Sequence, residues 1–201
     1  MPSDLTRAHL EAAGLGAFFR PRDLEPLGIS FKHLQRLVSG GTVEKLGDGL
    51  YRLSEVEPTE LETIAMVASA VPHAIICLLS ALRIHDIGTQ SPHEVWIALD
   101  RKSRKPARVP AKVRVVRFSG AMLTYGVVKQ TMLGVRVSIT SPARTVVDCF
   151  RYRNKVGIDV AMEALRDAIR RRKTTVDEIV RTADVCRIRT VISPYLEALS
   201  A

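Results

Sequence analysis

No stretch of roughly 18 consecutive apolar residues occurs in the sequence, so no membrane-crossing helix is expected. The first residues, MPSDLTRAHLEAAG, lack a basic segment followed by an apolar one, so they do not read as a secretory leader. The expectation is a soluble, cytoplasmic protein. Cysteine is scarce: Cys77, Cys149 and Cys186 are odd in number, far apart and without a C-x-x-C. A disulfide framework or thiolate zinc site does not fit, and the three read as buried apolar thiols. The histidines His9, His33, His73, His85 and His93 show neither H-x-x-x-H nor H-E-x-x-H spacing. There is no glycine-rich phosphate loop, no Walker lysine and no G-x-S-x-G.

Two faint catalytic signals remain. His85-Asp86 invites comparison with metal phosphohydrolases, but the further histidines of such a site are missing. It reads as a capping or core histidine. Asp100, ahead of Arg101 and Lys102, hints at a metal-dependent nuclease. That chemistry needs a second carboxylate paired with lysine on the next strand, and Lys112–Phe118 contains no acidic residue. The expectation is therefore a protein that is not an enzyme, with no metal, no cofactor and no small-molecule substrate.

What is present is charge, unevenly placed. The chain of 201 residues is 46% hydrophobic, enough for one large core or two small ones, and carries a net charge of +9. Residues 1–55 hold 7 Lys/Arg and 7 Asp/Glu; residues 56–100 hold 1 and 6. Residues 101–153 hold 13 and 1, and residues 154–201 hold 9 and 7. The basic excess thus lies in one middle segment, and a concentrated positive field implies an anionic partner such as nucleic acid or an acidic protein surface. A solvated surface loop is the plain alternative.

Hydrophobic periodicity gives the order of elements. Ser3–Ala13 reads as a helix stopped by Gly14 and Gly16. Pro21 suits the first turn of a short second helix over Arg22–Leu27. Gly28 ends it, and Ser30 is placed to cap a third. At about 100° per residue, Phe31, Leu34, Leu37 and Val38 share one face of that helix. Lys32, Gln35, Arg36 and Ser39 cluster opposite, with His33 at the edge. Lysine, arginine and glutamine are the side chains that reach phosphates, guanine and adenine edges. A hairpin follows, Thr42–Leu46 and Leu50–Leu53 around Gly47-Asp48-Gly49.

Three helices and a hairpin are the order of a winged helix-turn-helix over residues 1–55. In that reading Ser30, Lys32, His33, Gln35 and Arg36 face DNA, Lys45 and Arg52 are the wing cations, and Arg20 and Arg22 hold phosphates. The neutral sum over 1–55 asks for help from elsewhere. A linker near Glu55–Pro58 then opens an α+β domain over 56–201. It contains a helix over Thr59–Val71, a buried strand–helix unit over Ala74–Ile84, and a strand over His93–Leu99. A basic loop from Arg101 to Arg108 follows, then a half-buried strand over Lys112–Phe118. A hairpin turns near Gly134, and helices follow from Ser141 to the end. The run Arg170–Lys173 reads as helix-end stabilisation. Arg101, Lys102, Arg104, Lys105, Arg108, Lys112, Arg114 and Arg117 form a second basic surface, for DNA phosphates or an acidic protein. Arg144 and Asp148, four apart on one helix, read as structural, at the spacing of an ion pair or a cap interaction.

Three stretches, in this order, resemble the AbiEi family, antitoxins of type IV toxin–antitoxin systems that also act as transcriptional repressors. They are LQRLVSGGTVEKLGDGLYRL (Leu34–Leu53), CLLSALRIHDIG (Cys77–Gly88) with HEVWIAL after it, and VSITSPARTVVDCFRY (Val137–Tyr152). The resemblance implies an N-terminal winged helix on double-stranded promoter DNA. It also implies a C-terminal α+β domain that antagonises a nucleotidyltransferase-like toxin, and no active site. The alternative is a winged-helix regulator whose second domain senses a ligand or oligomerises.

Overall fold

A computed structural model describes residues 7–47, 49–54, 61–106, 109 and 111–200. The architecture is α+β with two sheets. Two compact units divide the chain. The first comprises 1–72, 106–111 and 130–137; the second comprises 73–105, 112–129 and 138–201. The division expected at 55/56 falls beside residues 55–60, outside the described part. Helix Glu62–Ala70 groups instead with the first unit.

The first unit runs α1 (Arg7–Ala12), β1 (Phe18–Phe19), α2 (Pro21–Leu24) continued by a 3-10 turn (Glu25–Leu27), α3 (Phe31–Ser39), β2 (Val43–Gly47), β3 (Leu50–Leu53) and α4 (Glu62–Ala70). Its sheet has the order β1-β3-β2, antiparallel throughout. Strand β1 is absent from the sequence reading, because two residues are too few to show a period. Phe19 pairs with Tyr51 across the sheet and stacks on it with ring centroids 6.0 Å apart. Leu10, Leu15, Leu24, Ile29, Leu34, Leu37, Val43 and Leu53 complete the core.

Gly28 takes a left-handed conformation at φ 67° and stops the 3-10 turn, its N–H donating to the Glu25 carbonyl. Ser30 then caps α3, its hydroxyl accepting from the His33 N–H at 3.4 Å. Phe31 departs from the expected apolar face. Leu34 and Leu37 are buried and Val38 is half-buried, but Phe31 is 60% exposed. Ile29, just before the cap, and Leu34, four residues after it, both sit in the core. That is the arrangement of a hydrophobic staple, which fills the space under the helix start and turns Phe31 outward.

The second unit contains β4 (Ile75–Ile76), α5 (Leu78–His85), β5 (Val95–Asp100), β6 (Val113–Phe118), a 3-10 turn (Gly120–Leu123), the first half of β7 (Val127–Met132) and the second half of β8 (Val135–Thr140); the hairpin end that joins these two strands, residues 130–137, belongs to the first unit. Five helices follow: α6 (Pro142–Arg151), α7 (Arg153–Val156), α8 (Ile158–Arg170), α9 (Val176–Val185) and α10 (Arg189–Ser200). The strand order is β6-β5-β4-β8-β7; β5 runs parallel to β6, β4 antiparallel to β5 and parallel to β8. Leu133 (φ 49°) and Gly134 (φ 76°) turn the β7–β8 hairpin, both left-handed as a tight two-residue turn requires. A Cβ on Gly134 would land on the backbone of Gly16, so this turn position admits only glycine.

Helix α6 is the centre of the second unit, buried at every residue from Ala143 to Phe150. It carries Arg144 and Asp148, both with fully buried side chains. The Arg144 guanidinium donates to Asp148 Oδ1 at 2.9 Å, to the Tyr125 carbonyl at 2.5 Å and to the Met122 carbonyl at 3.0 Å. It lies 4.8 Å over the Phe118 ring. The expected ion pair is present, and Arg144 also anchors the turn between β6 and β7. Asp148 is less well served: its Oδ2 has no hydrogen-bond partner among the described residues. Burial pushes its carboxyl up to about 6, against the attraction of Arg144.

The two members of the pair should therefore respond differently to mutation. Arg144→Met strands a buried carboxylate and two carbonyls, and is expected to cost about 3–5 kcal/mol. Asp148→Asn removes the ill-solvated charge and is expected to equal or exceed the wild type in stability at pH 7. A carboxyl raised above its unfolded value favours folding fully only below about pH 4, and that contribution is lost as the pH rises through 6. The advantage of Asp148→Asn should thus shrink as the pH falls from 7 to 4, measured as denaturant midpoints of both proteins.

Candidate functional site

The outward side of α3 follows from its inward side. With Leu34 and Leu37 fixed in the core, the 3.6-residue repeat turns Lys32, His33, Gln35 and Arg36 to solvent, and all four are exposed. Ser30 closes the row, its hydroxyl 3.1 Å from His33 Nδ1 and engaged as the cap. Ser39 donates back to the Gln35 carbonyl at 2.7 Å. Lys45 is exposed on β2. Arg22 is exposed too, with only a loose approach to Asp23 at 3.8 Å. Lys32, Gln35, Arg36 and Lys45 make no side-chain bond among the described residues, so this face holds three cations and an amide open to a partner.

Arg20 and Arg52 differ from the sequence expectation. Arg20 reaches the last turn of α4, donating through Nε to the Ser69 carbonyl at 3.0 Å and through Nη2 to the Ala70 carbonyl at 2.7 Å. Those carbonyls are the unpaired acceptors of a helix end, and a guanidinium satisfies them well. Arg52 pairs with Glu44 across the hairpin and with Glu62 at the start of α4, each at 2.5 Å. Neither side chain is a free cation of the kind assigned to it. These contacts also explain why α4 belongs with the first unit. The Glu44–Arg52 pair was within reach of the sequence, since the two residues lie opposite in a hairpin of this register. Glu62 and the α4 carbonyls were not, because no local pattern links them to residues 20 and 52.

The second basic surface also sorts into two sets. Arg101, Lys102, Arg104, Lys105 and Lys112 are exposed. Arg117 is used internally, donating to the Asp100 carbonyl at 2.9 Å and the Ser103 carbonyl at 2.7 Å. Asp100 accepts from the Lys102 N–H at 2.7 Å, so the loop leaves β5 in a fixed turn. Arg114 stacks 4.9 Å over Trp96 and pairs with Glu94 at 2.6 Å. Arg108 lies outside the described residues.

Asp100 also lines a cavity of about 410 Å³ with His73, Ser103, Thr124, Lys129 and Ser138. It is the one carboxylate in that lining, and among the described residues no cluster of three His, Cys, Asp or Glu could hold a metal ion. His85 donates through Nε2 to the Thr140 carbonyl at 2.6 Å, and burial holds its basicity below the ordinary histidine value. It packs as a structural, neutral side chain. In the run after α8, Arg171 pairs with Asp86 and Asp167, and Arg170 with Asp167. No helix among the described residues is long and apolar enough to cross a membrane.

No family model and no curated protein matches the chain. Among solved structures, it is similar to the RV2827C protein from Mycobacterium tuberculosis, with a TM-score of 0.57 and 13% identity. The likeness covers 84% of this chain and 66% of that one, so the chain spans just under two thirds of its neighbour. At that identity the likeness is one of fold alone.

The division between internal and open cations has a direct test. Arg52→Ala leaves Glu44 and the buried Glu62 unpaired and should lower unfolding stability by about 1–3 kcal/mol. Lys45→Ala on the same hairpin should stay within about 0.5 kcal/mol of wild type. Chemical denaturation of both variants measures the contrast.

Proposed function

We propose that this chain is a regulator that binds double-stranded promoter DNA through a winged helix-turn-helix formed by its first unit. It acts as the antitoxin of a type IV toxin–antitoxin system, represses its own operon, and antagonises a nucleotidyltransferase-like toxin through its second unit. Its place is the cytoplasm, and it is not an enzyme. The observation that carries the reading is the outer face of α3: Lys32, Gln35 and Arg36 are exposed and have no side-chain partner among the described residues, beside a hairpin that presents Lys45. The order helix–strand–helix–helix–hairpin supports it, as does the sheet order β1-β3-β2. In such a domain α3 enters the major groove with its N-terminal residues on base edges, and the hairpin follows the adjacent backbone.

The contact set is narrower than the sequence alone implies. Lys32 and Arg36 reach phosphates or guanine, Gln35 reaches adenine, and Lys45 and Arg22 hold the backbone. The open cations Arg101, Lys102, Arg104, Lys105 and Lys112 serve DNA phosphates or an acidic toxin surface. A second reading, a regulator without a toxin whose second unit senses a small ligand, is favoured by the cavity around His73, Asp100, Ser103 and Lys129. Co-expression with the product of an adjacent reading frame separates the two. Growth rescue by this chain supports the antitoxin, and no toxicity to rescue supports the plain regulator.

DNA binding is tested by electrophoretic shift on the segment upstream of the protein's own reading frame. Affinity should fall with salt at a log–log slope of about −0.9 per phosphate neutralised. Arg36→Ala should cost about 1–3 kcal/mol if it reads a base, and the pair Lys32→Ala plus Arg36→Ala should abolish the shift. A shift unchanged by the pair would refute this placement of the interface.

A further inference from the structure

Phe31 is a large apolar side chain that the fold turns away from its own core. Ile29 and Leu34 occupy the space beneath the start of α3, and Phe31 is left 60% exposed at its first residue. Among the described residues no large apolar side chain is more exposed. The others, Tyr125, Val128, Ile158, Val176, Val185 and Leu199, all belong to the second unit. The surroundings of Phe31 are polar and cationic: Ser30 before it, Lys32 after it, and Gln35 one turn further along the same row. A lone ring among such groups is far short of the apolar area that a protein interface requires. It matches a single apolar group set in a polar, anionic groove.

The major groove of DNA offers one such group, the 5-methyl of thymine, and phenylalanine is among the side chains that contact it. We infer that Phe31 is a specificity-determining residue that contacts a thymine methyl, so that the DNA bound by α3 carries a thymine at a fixed place. This rests on the DNA-binding reading above and extends it from cations and an amide to an apolar readout. Phe31 and Gln35 stand four residues, about 6 Å, apart along the helix. The thymine therefore lies within about two base-pair steps of the adenine offered to Gln35.

The test uses the full chain and a duplex that it recovers from a random pool. Thymines of that duplex are replaced by deoxyuridine, which removes only the methyl, first throughout and then one at a time. The wild type should bind the fully substituted duplex about fourfold more weakly, the worth of one buried methyl group, with the loss traced to one thymine. Phe31→Ala should bind both duplexes alike, and Phe31→Leu should keep part of the preference. Equal binding of both duplexes by the wild type overturns the inference while leaving DNA binding intact. So does an undiminished thymine preference in Phe31→Ala. Failure to recover any duplex removes the DNA-binding reading itself, and this inference with it.

Discussion

A guanidinium taken out of water must find acceptors for its N–H groups, and that requirement organises both units of this protein. Arg144 meets it with a carboxylate and two carbonyls inside the second core. Arg20 meets it at the carbonyl end of α4, and Arg52 meets it in part, its two Nη groups held by Glu62 and Glu44 while its buried Nε has no partner among the described residues. Arg117, which stays exposed, holds the turn after β5 with the same kind of donors. In each case the arginine fixes a connection that apolar packing alone would leave loose. The same requirement decides which cations remain open to a partner, and it removes several that composition counts.

The charge map acquires a different meaning once those residues are set aside. The first unit looks neutral over residues 1–55, which is unpromising for a protein that meets a polyanion. Part of its negative charge is bound internally, however, Glu44 by Arg52 and Asp23 by the Arg20 N–H. The field presented by α3 and β2 is therefore set by Lys32, Arg36 and Lys45 rather than by the sum. Over residues 101–153 the basic excess is thinner than the 13 cations suggest, because Arg114, Arg117 and Arg144 all have internal partners.

Elements governed by neighbouring residues were legible in the sequence. Ser30 as a cap, Gly28 as a stop, the pairing of β2 with β3, the strand to Phe118, the turn at Gly134 and the Arg144–Asp148 spacing all rest on contacts within a few positions. Strand β1, the division of the chain, the partners of Arg20 and the outward turn of Phe31 were not legible. They depend on residues tens of positions apart, or on competition between two apolar side chains for one space. Periodicity places Phe31 correctly around the helix axis; it cannot say that Ile29 has already filled the core at that height. The residue left over is the one that gives the candidate interface its apolar point.

The central claim is that the exposed face of α3, with the hairpin beside it, meets DNA. Backbone amide shifts of the intact protein, followed while a duplex from upstream of its own reading frame is added, test this most directly. The account predicts that the largest changes fall on residues 30–39 and around Lys45. Changes absent there, or confined to residues 73–105 and 138–200, would contradict it.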